Sequence, residues 1–182
     1  AEYDYKDEEG KLLFQVVRMD PKSFRQRHKN GQGKWVWDLK DVRRVLYHLP
    51  ELSNVTDETV YIVEGEKDAD NLWLWGQVAT TSPGGANAWR DDYSNYLINK
   101  RVCIIPDNDS PGLAYARQVA NSISGKAKEL KIILLPNKDV SDWLDAGGDI
   151  ETLPSLEQDI EVLFASDRPT YRRVNDIVEW DK

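Results

Sequence analysis

Apolar positions along this chain fall into short runs, and their spacing separates strand from helix. Leu12-Leu13-Phe14-Gln15-Val16-Val17 has strand length and apolar, β-branched content, and it follows the turn signal Asp7-Glu8-Glu9-Gly10. A second strand is expected at Lys34-Trp35-Val36-Trp37, after the turn residues Asn30-Gly31-Gln32-Gly33. Val42, Val45 and Leu46 recur at helical spacing, so a short helix capped by Asp38 or Asp41 and ended by Leu49-Pro50 is expected there. Residues 1–57 thus read as a small β-rich N-terminal subdomain.

From 58 to 149 the pattern alternates. Strands are expected over 60–64, 78–80, 102–106 and 130–135. Helices are expected over 69–75, 88–98, 112–123 and 140–146, with stops at Gly76 and at Gly147-Gly148. The helix over 112–123 places Leu113, Ala116, Val119, Ala120 and Ile123 on one face. Such alternation predicts an α/β fold, a mostly parallel sheet flanked by helices. Beyond 150 the pattern weakens to a helix over 153–164 and a charged segment, 166–182, that reads as a linker.

Composition narrows the class. A chain of 182 residues holds one domain, or one with a small appendage. No apolar run approaches the ~20 residues of a membrane helix. The start, Ala1-Glu2-Tyr3-Asp4-Tyr5-Lys6, is polar and has no signal-peptide character, so a cytoplasmic protein and no membrane partner are expected. It also lacks Met, which suggests a piece of a longer protein. The single Cys103 excludes an internal disulfide or a cysteine zinc cluster and reads as a buried, inert thiol. His28 and His48 have no metal-ligand spacing.

Charge is unevenly placed. The formal net charge of −8 argues against nucleic-acid binding by bulk electrostatics. Yet the segment Arg18–Arg44 holds nine basic residues against three acids, a net of +6, which leaves −14 for the rest. A basic island that also carries Phe24, Trp35 and Trp37, beside an acidic body, suits a polyanionic substrate. The plainer reading is a solvated charged face.

Two strand ends carry the chemistry. Glu64 closes the run Tyr61-Ile62-Val63, Gly65 permits a tight turn, and Asp68 lies one helical turn on, where it can face the same crevice. Glu66 and Lys67 are expected to point to solvent. Asp107-Asn108-Asp109 closes the run Ile104-Ile105-Pro106 with two carboxylates on one side of an extended segment. If these strands are neighbours, their acids repel one another unless a cation joins them, and magnesium prefers such oxygen ligands. The competing readings are a capped strand-to-helix turn at Glu64 and, at Asp107-Asn108-Asp109, an Asx-rich turn that merely caps the following helix.

Taken together, Glu64-Gly65, the loop Ser82-Pro83-Gly84-Gly85 and Asp107-Asn108-Asp109 resemble, in order and spacing, the signature of the Toprim domain over about 59–146. That domain is shared by DnaG-type primases, type IA and II topoisomerases, OLD-family nucleases and small RNA-maturation nucleases. Glu64-Gly65 with Asp68 looks like the primase branch. Lys138-Asp139-Val140-Ser141-Asp142 is similar to the Lys-Asp-x-x-acid segment of phage primase-helicases. Upstream, Phe14-Gln15-Val16-Val17-Arg18, Pro21-Lys22 and Leu46-Tyr47 resemble the small basic subdomain that precedes Toprim in primases, the first being one residue longer than the common form. The end, Val174-Asn175-Asp176-Ile177-Val178-Glu179-Trp180, resembles the approach to a RecA-like helicase domain.

The resemblance implies a primase core of a phage or mobile element, making RNA primers on single-stranded DNA from nucleoside triphosphates. Asp107 and Asp109 would hold magnesium, or manganese in its place, with Asp68 and Asp139 as helpers. Glu64 would be the general base or a further metal ligand. Arg18, Lys22, Gly84 and Gly85 would meet nucleotide or template. The parent protein would add a zinc-binding domain and a helicase domain. A Toprim nuclease cutting DNA or RNA is one alternative, and a non-catalytic Toprim module that binds nucleic acid is another.

Overall fold

The computed structural model describes residues 1–85 and 88–159, and the backbone of residues 171–174 and 177–180. Four antiparallel strands open the chain and lie in sequence order: β1 (Glu2–Lys6), β2 (Leu12–Met19), β3 (Ser23–Lys29) and β4 (Trp35–Val36). Both expected strands are present. β1 and β3 were not foreseen. In β1 the alternation is real, with Tyr3 and Tyr5 buried between exposed Glu2 and Asp4, but the flanking acids mask it. β3 buries no residue at all, so it carries no hydrophobic period to read.

The helix expected around Val42–Leu46 does not form. Asp41 and His48 both sit at positive φ, 57° and 55°, and the segment is irregular. Its backbone is committed elsewhere. The Tyr47 N–H donates to the Thr81 carbonyl (3.0 Å), and the Thr80 hydroxyl donates to the Tyr47 carbonyl (2.6 Å). Leu39, Val45 and Leu46 still bury, one by one rather than as a helix face. Pro50 opens a helix instead of ending one: α1 spans Leu49–Ser53, and proline is well tolerated in a first helical turn.

The α/β layer follows as expected, with shifted ends. It comprises β5 (Thr59–Ile62), α2 (Glu66–Leu74), β6 (Val78–Thr80), β7 (Arg101–Ile104), α3 (Ser110–Ile123), β8 (Glu129–Ile132), α4 (Val140–Asp145) and β9 (Gln158–Asp159). The strand order is β6-β5-β7-β8-β9; the first four are parallel and β9 is antiparallel. The chain reverses its direction of progress across the sheet between β5 and β7. The carboxyl ends of those two strands form the crevice where open α/β sheets bind ligands.

Three stretches differ from expectation. A 3-10 helix over Asp91–Leu97 replaces the α-helix expected at 88–98, in a run of Asp, Ser, Asn and Tyr that favours local turns over regular helix. Another covers Ile150–Leu156 and leads into β9, where a helix over 153–164 was expected; positions 160–164 lie outside the described residues. Within the expected linker, β10 (Tyr171–Val174) and β11 (Ile177–Trp180) pair as an antiparallel hairpin.

One core runs through both sheets, from Tyr5 and Phe14 through Leu46, Leu49 and Leu72 to Ile62, Ile104 and Val119. β5 and β7 are buried along both faces, which is why they read as unbroken apolar runs. Cys103 is a fully buried free thiol.

Candidate active site

Three loops meet at the carboxyl ends of the parallel strands, and hydrogen bonds between them fix the acids. The loop after β7 is tied to the loop after β8: the Asn108 N–H donates to the Lys138 carbonyl (2.6 Å) and its side-chain amide to the Leu135 carbonyl (3.0 Å). This brings Asp139 beside Asp107. From the β5 side, Glu64 Oε1 accepts the Asp107 N–H at 3.1 Å. Asp68, on the first turn of α2, accepts both the backbone N–H (2.9 Å) and the hydroxyl (2.5 Å) of Ser141 at the start of α4.

Asp68, Asp107 and Asp139 form a cluster, with one carboxylate oxygen of each within 4.8 Å of the others. Asp109, expected as a metal ligand beside Asp107, is placed otherwise. Its Oδ1 accepts the Gly112 N–H (2.8 Å) and caps α3. Asp139 likewise caps α4, accepting the Asp142 N–H at 2.8 Å. Both are strong N-cap residues. Gly112 was missed. A Cβ there would collide with the Asp107 carbonyl and lie 2.5 Å from Glu64 Oε1, so only glycine lets α3 start against Glu64.

The electrostatics are those of crowded, half-buried acids. Burial, then the charges of Glu64, Asp68 and Asp139, push Asp107 up to about 7, with Lys138 pulling the other way. Glu64 is raised by burial and by Asp109 and Asp68, against the Asp107 N–H. Burial also raises Asp68, opposed by the Ser141 bonds. Oxygen-only ligands, mutual repulsion and partial exposure fit a hard divalent cation.

Across from the acids lies the first sheet. A groove of about 610 Å³ between the two layers is lined by Arg18, Lys22, Phe24 and Gln26 on one side and by Glu64, Asp68, Asp107, Lys138 and Asp139 on the other, with Gly84 and Gly85 also in its lining. Sequence-predicted site residues from both halves of the chain therefore share one cavity, while Asp109 is not among its lining residues. Tyr3, Ser141 and Glu66 also line it. Glu66 corrects the expectation of a solvent-facing acid. It is 7% exposed and accepts the Tyr5 hydroxyl at 2.9 Å. Burial raises its carboxyl despite that bond. The alternation of Tyr3 and Tyr5 was the signal for this inward face.

The sequence matches no known family model and no curated protein. Solved structures do match. The primase fragment of the bacteriophage T7 primase-helicase is 21% identical, covers 84% of this chain and 61% of its own, and superposes with a TM-score of 0.64. The DnaG primase catalytic domain bound to single-stranded DNA is 20% identical over 91% of this chain and 55% of its own, at a TM-score of 0.66. A DNA primase domain from Pseudomonas aeruginosa gives 18%, 91%, 53% and 0.66 for the same quantities. The chain thus spans 61% of the T7 fragment and little more than half the length of the other two primase domains. No described helix is long and apolar enough to cross a membrane. With its parallel layer, its acid cluster at the switch point and the small sheet set against it, the chain has the fold of the DnaG-type primase catalytic core, Toprim layer included.

Proposed function

We propose that this chain is the catalytic core of a DNA primase, joining ribonucleotides into primers on a single-stranded DNA template during replication. The observation that carries the reading is the single groove that sets Asp68, Asp107, Asp139 and Glu64 opposite Arg18 and Lys22. Acids alone would suit hydrolysis equally well; a basic wall facing them supplies a seat for template and triphosphate.

Asp68, Asp107 and Asp139 would hold magnesium, or manganese in its place, with Asp109 beside them at the head of α3. Bound there, the cation would orient the incoming triphosphate and offset the charge that develops during in-line displacement. Glu64 takes the proton of the attacking 3′-hydroxyl as that oxygen bonds to the α-phosphorus and pyrophosphate departs. Its half-buried setting, which raises its basicity, suits that role. Arg18 and Lys22 hold phosphate oxygens of template or nucleotide. Gly84 and Gly85, without side chains, let a sugar or phosphate approach the backbone closely. The parent protein is a phage or mobile-element primase or primase-helicase of the cytoplasm, with a zinc-binding domain and a helicase domain.

Labelled primer formation on mixed single-stranded templates tests this, with four ribonucleotides, magnesium or manganese, and a primase zinc-binding domain added in trans. Wild type should extend, and Asp107→Ala should fall to background. An inactive wild type under every condition, or a fully active Asp107→Ala, sinks the reading. Strand cleavage without nucleotides would instead indicate a nuclease.

A further inference from the structure

The basic island divides between two faces of one sheet. Along β3, Phe24 and Gln26 line the groove. Alternation sends Arg25, Arg27 and Lys29 to the opposite face. There they meet the indoles of the β4 segment. The Arg25 guanidinium lies 4.4 Å above the Trp37 ring. Arg27 lies 4.2 Å above Trp35 and 5.2 Å from Trp37. The Lys29 ammonium lies 5.2 Å above Trp35. Trp37 is 40% exposed, and Arg25 beside it and Lys29 beside Trp35 are exposed as well.

The acids on this face are already engaged. Glu2 pairs with Arg27 at 2.7 Å, and Asp4 accepts the Gln15 amide at 2.6 Å. Among the described residues, no carboxylate lies within ion-pair distance of Arg25 or Lys29. Flat rings alternating with uncompensated cations on a sheet surface are what unpaired bases and a phosphate backbone require together. Bases stack on indole or guanidinium planes, and the cations follow the phosphates. A duplex hides its base faces and gains only the charge term, so the surface favours a single strand.

The geometry points to a second single-stranded DNA site on the outer face of the first sheet, built from Arg25, Lys29, Trp35 and Trp37, separate from the catalytic groove. It would hold template on one side of the sheet while the other side presents it to the acids. That the strand is template rests on the primase reading; that this face binds single strands does not.

Anisotropy of fluorescein-labelled oligo-dT, without metal or nucleotide and across a salt series, provides the test. Trp37→Ala should weaken binding about tenfold, and Trp37→Phe should restore most of it. Arg25→Ala with Lys29→Ala should reduce the slope of log affinity against log salt by about 1.4. Affinities of both outer-face variants within about twofold of wild type overturn the proposal. If Trp37→Ala proves unstable, the double variant decides: an unchanged salt slope overturns it. Tight, Trp37-dependent binding by a wild type that makes no primer would sink the primase reading and leave this surface standing.

Discussion

Adding magnesium to the metal-free protein should expel protons, and Asp107 sets their number. Burial and three carboxyl neighbours push its acid up to about 7. A group with that value holds ~0.9 proton at pH 6, ~0.5 at pH 7 and ~0.1 at pH 8. A divalent cation binds only the carboxylate, so binding must release whatever proton is held. Release per metal should therefore fall from about 0.9 to about 0.5 to about 0.1 across that range. Apparent affinity should rise with pH up to about 7 and then flatten, because the proton competes only below the raised value. Glu64 and Asp68, also raised, add to the release at the acid end. Titration calorimetry in two buffers of different ionisation enthalpy reads the number directly, as the dependence of observed heat on buffer. Asp107→Asn should remove most of it. A buffer-independent heat in wild type at pH 6 and 7, or the same release from Asp107→Asn, would refute the idea that these acids share one cation.

Further perturbations separate the supports of the site. Ser141→Ala removes the 2.5 Å bond that orients Asp68 but leaves the 2.9 Å backbone bond. Magnesium affinity, read from thermal shift, should fall about tenfold; an unchanged affinity would mean the N–H alone positions Asp68. Gly112→Ala forces a methyl against Asp107 and Glu64, so the unfolding free energy from urea titration should drop by about 1–3 kcal/mol, with primer synthesis lost more steeply than fold. Tyr5→Phe strips the buried Glu66 of its hydroxyl donor. Because burial raises Glu66 in the folded state, its ionisation costs stability as pH climbs from the unfolded value, 4.5, through the raised one. The loss on Tyr5→Phe should thus grow from about 1 kcal/mol at acid pH to about 3 kcal/mol at pH 8. Equal losses at both would show that Glu66 stays neutral.

The α/β layer was legible because its strands are buried on both faces and end in acids, so the apolar runs and the chemistry mark the same points. The first sheet was half hidden for the opposite reason. β3 faces a polar groove on one side and solvent on the other, and no hydrophobic period survives. Spacing misled at Val42–Leu46, where pairing of Tyr47 with Thr80 and Thr81 outweighs a weak helical pattern. Glu66 was misjudged because its partner, Tyr5, lies far away in sequence. The spacing Asp107-x-Asp109 suggested a shared ligand role, and the competing cap reading applies to Asp109. No local pattern announced Gly112, whose need arises only where α3, Glu64 and Asp107 converge.

Capping puts these acids under unequal constraints. Asp109 and Asp139 both hold helix starts, Asp139 within the cluster and Asp109 outside it, whereas the Asp107 carboxylate accepts no hydrogen bond among the described residues. Selection for folding alone would preserve a capping side chain at 109 and 139, where Asn or Ser serves almost as well as Asp. On the primase reading, only the proposed metal chemistry defends Asp107. Lineages that abandon catalysis should drift to Asn or Ser at the two caps and lose all restriction at 107. The residue at 107, rather than the number of acids retained, then marks which descendants still work.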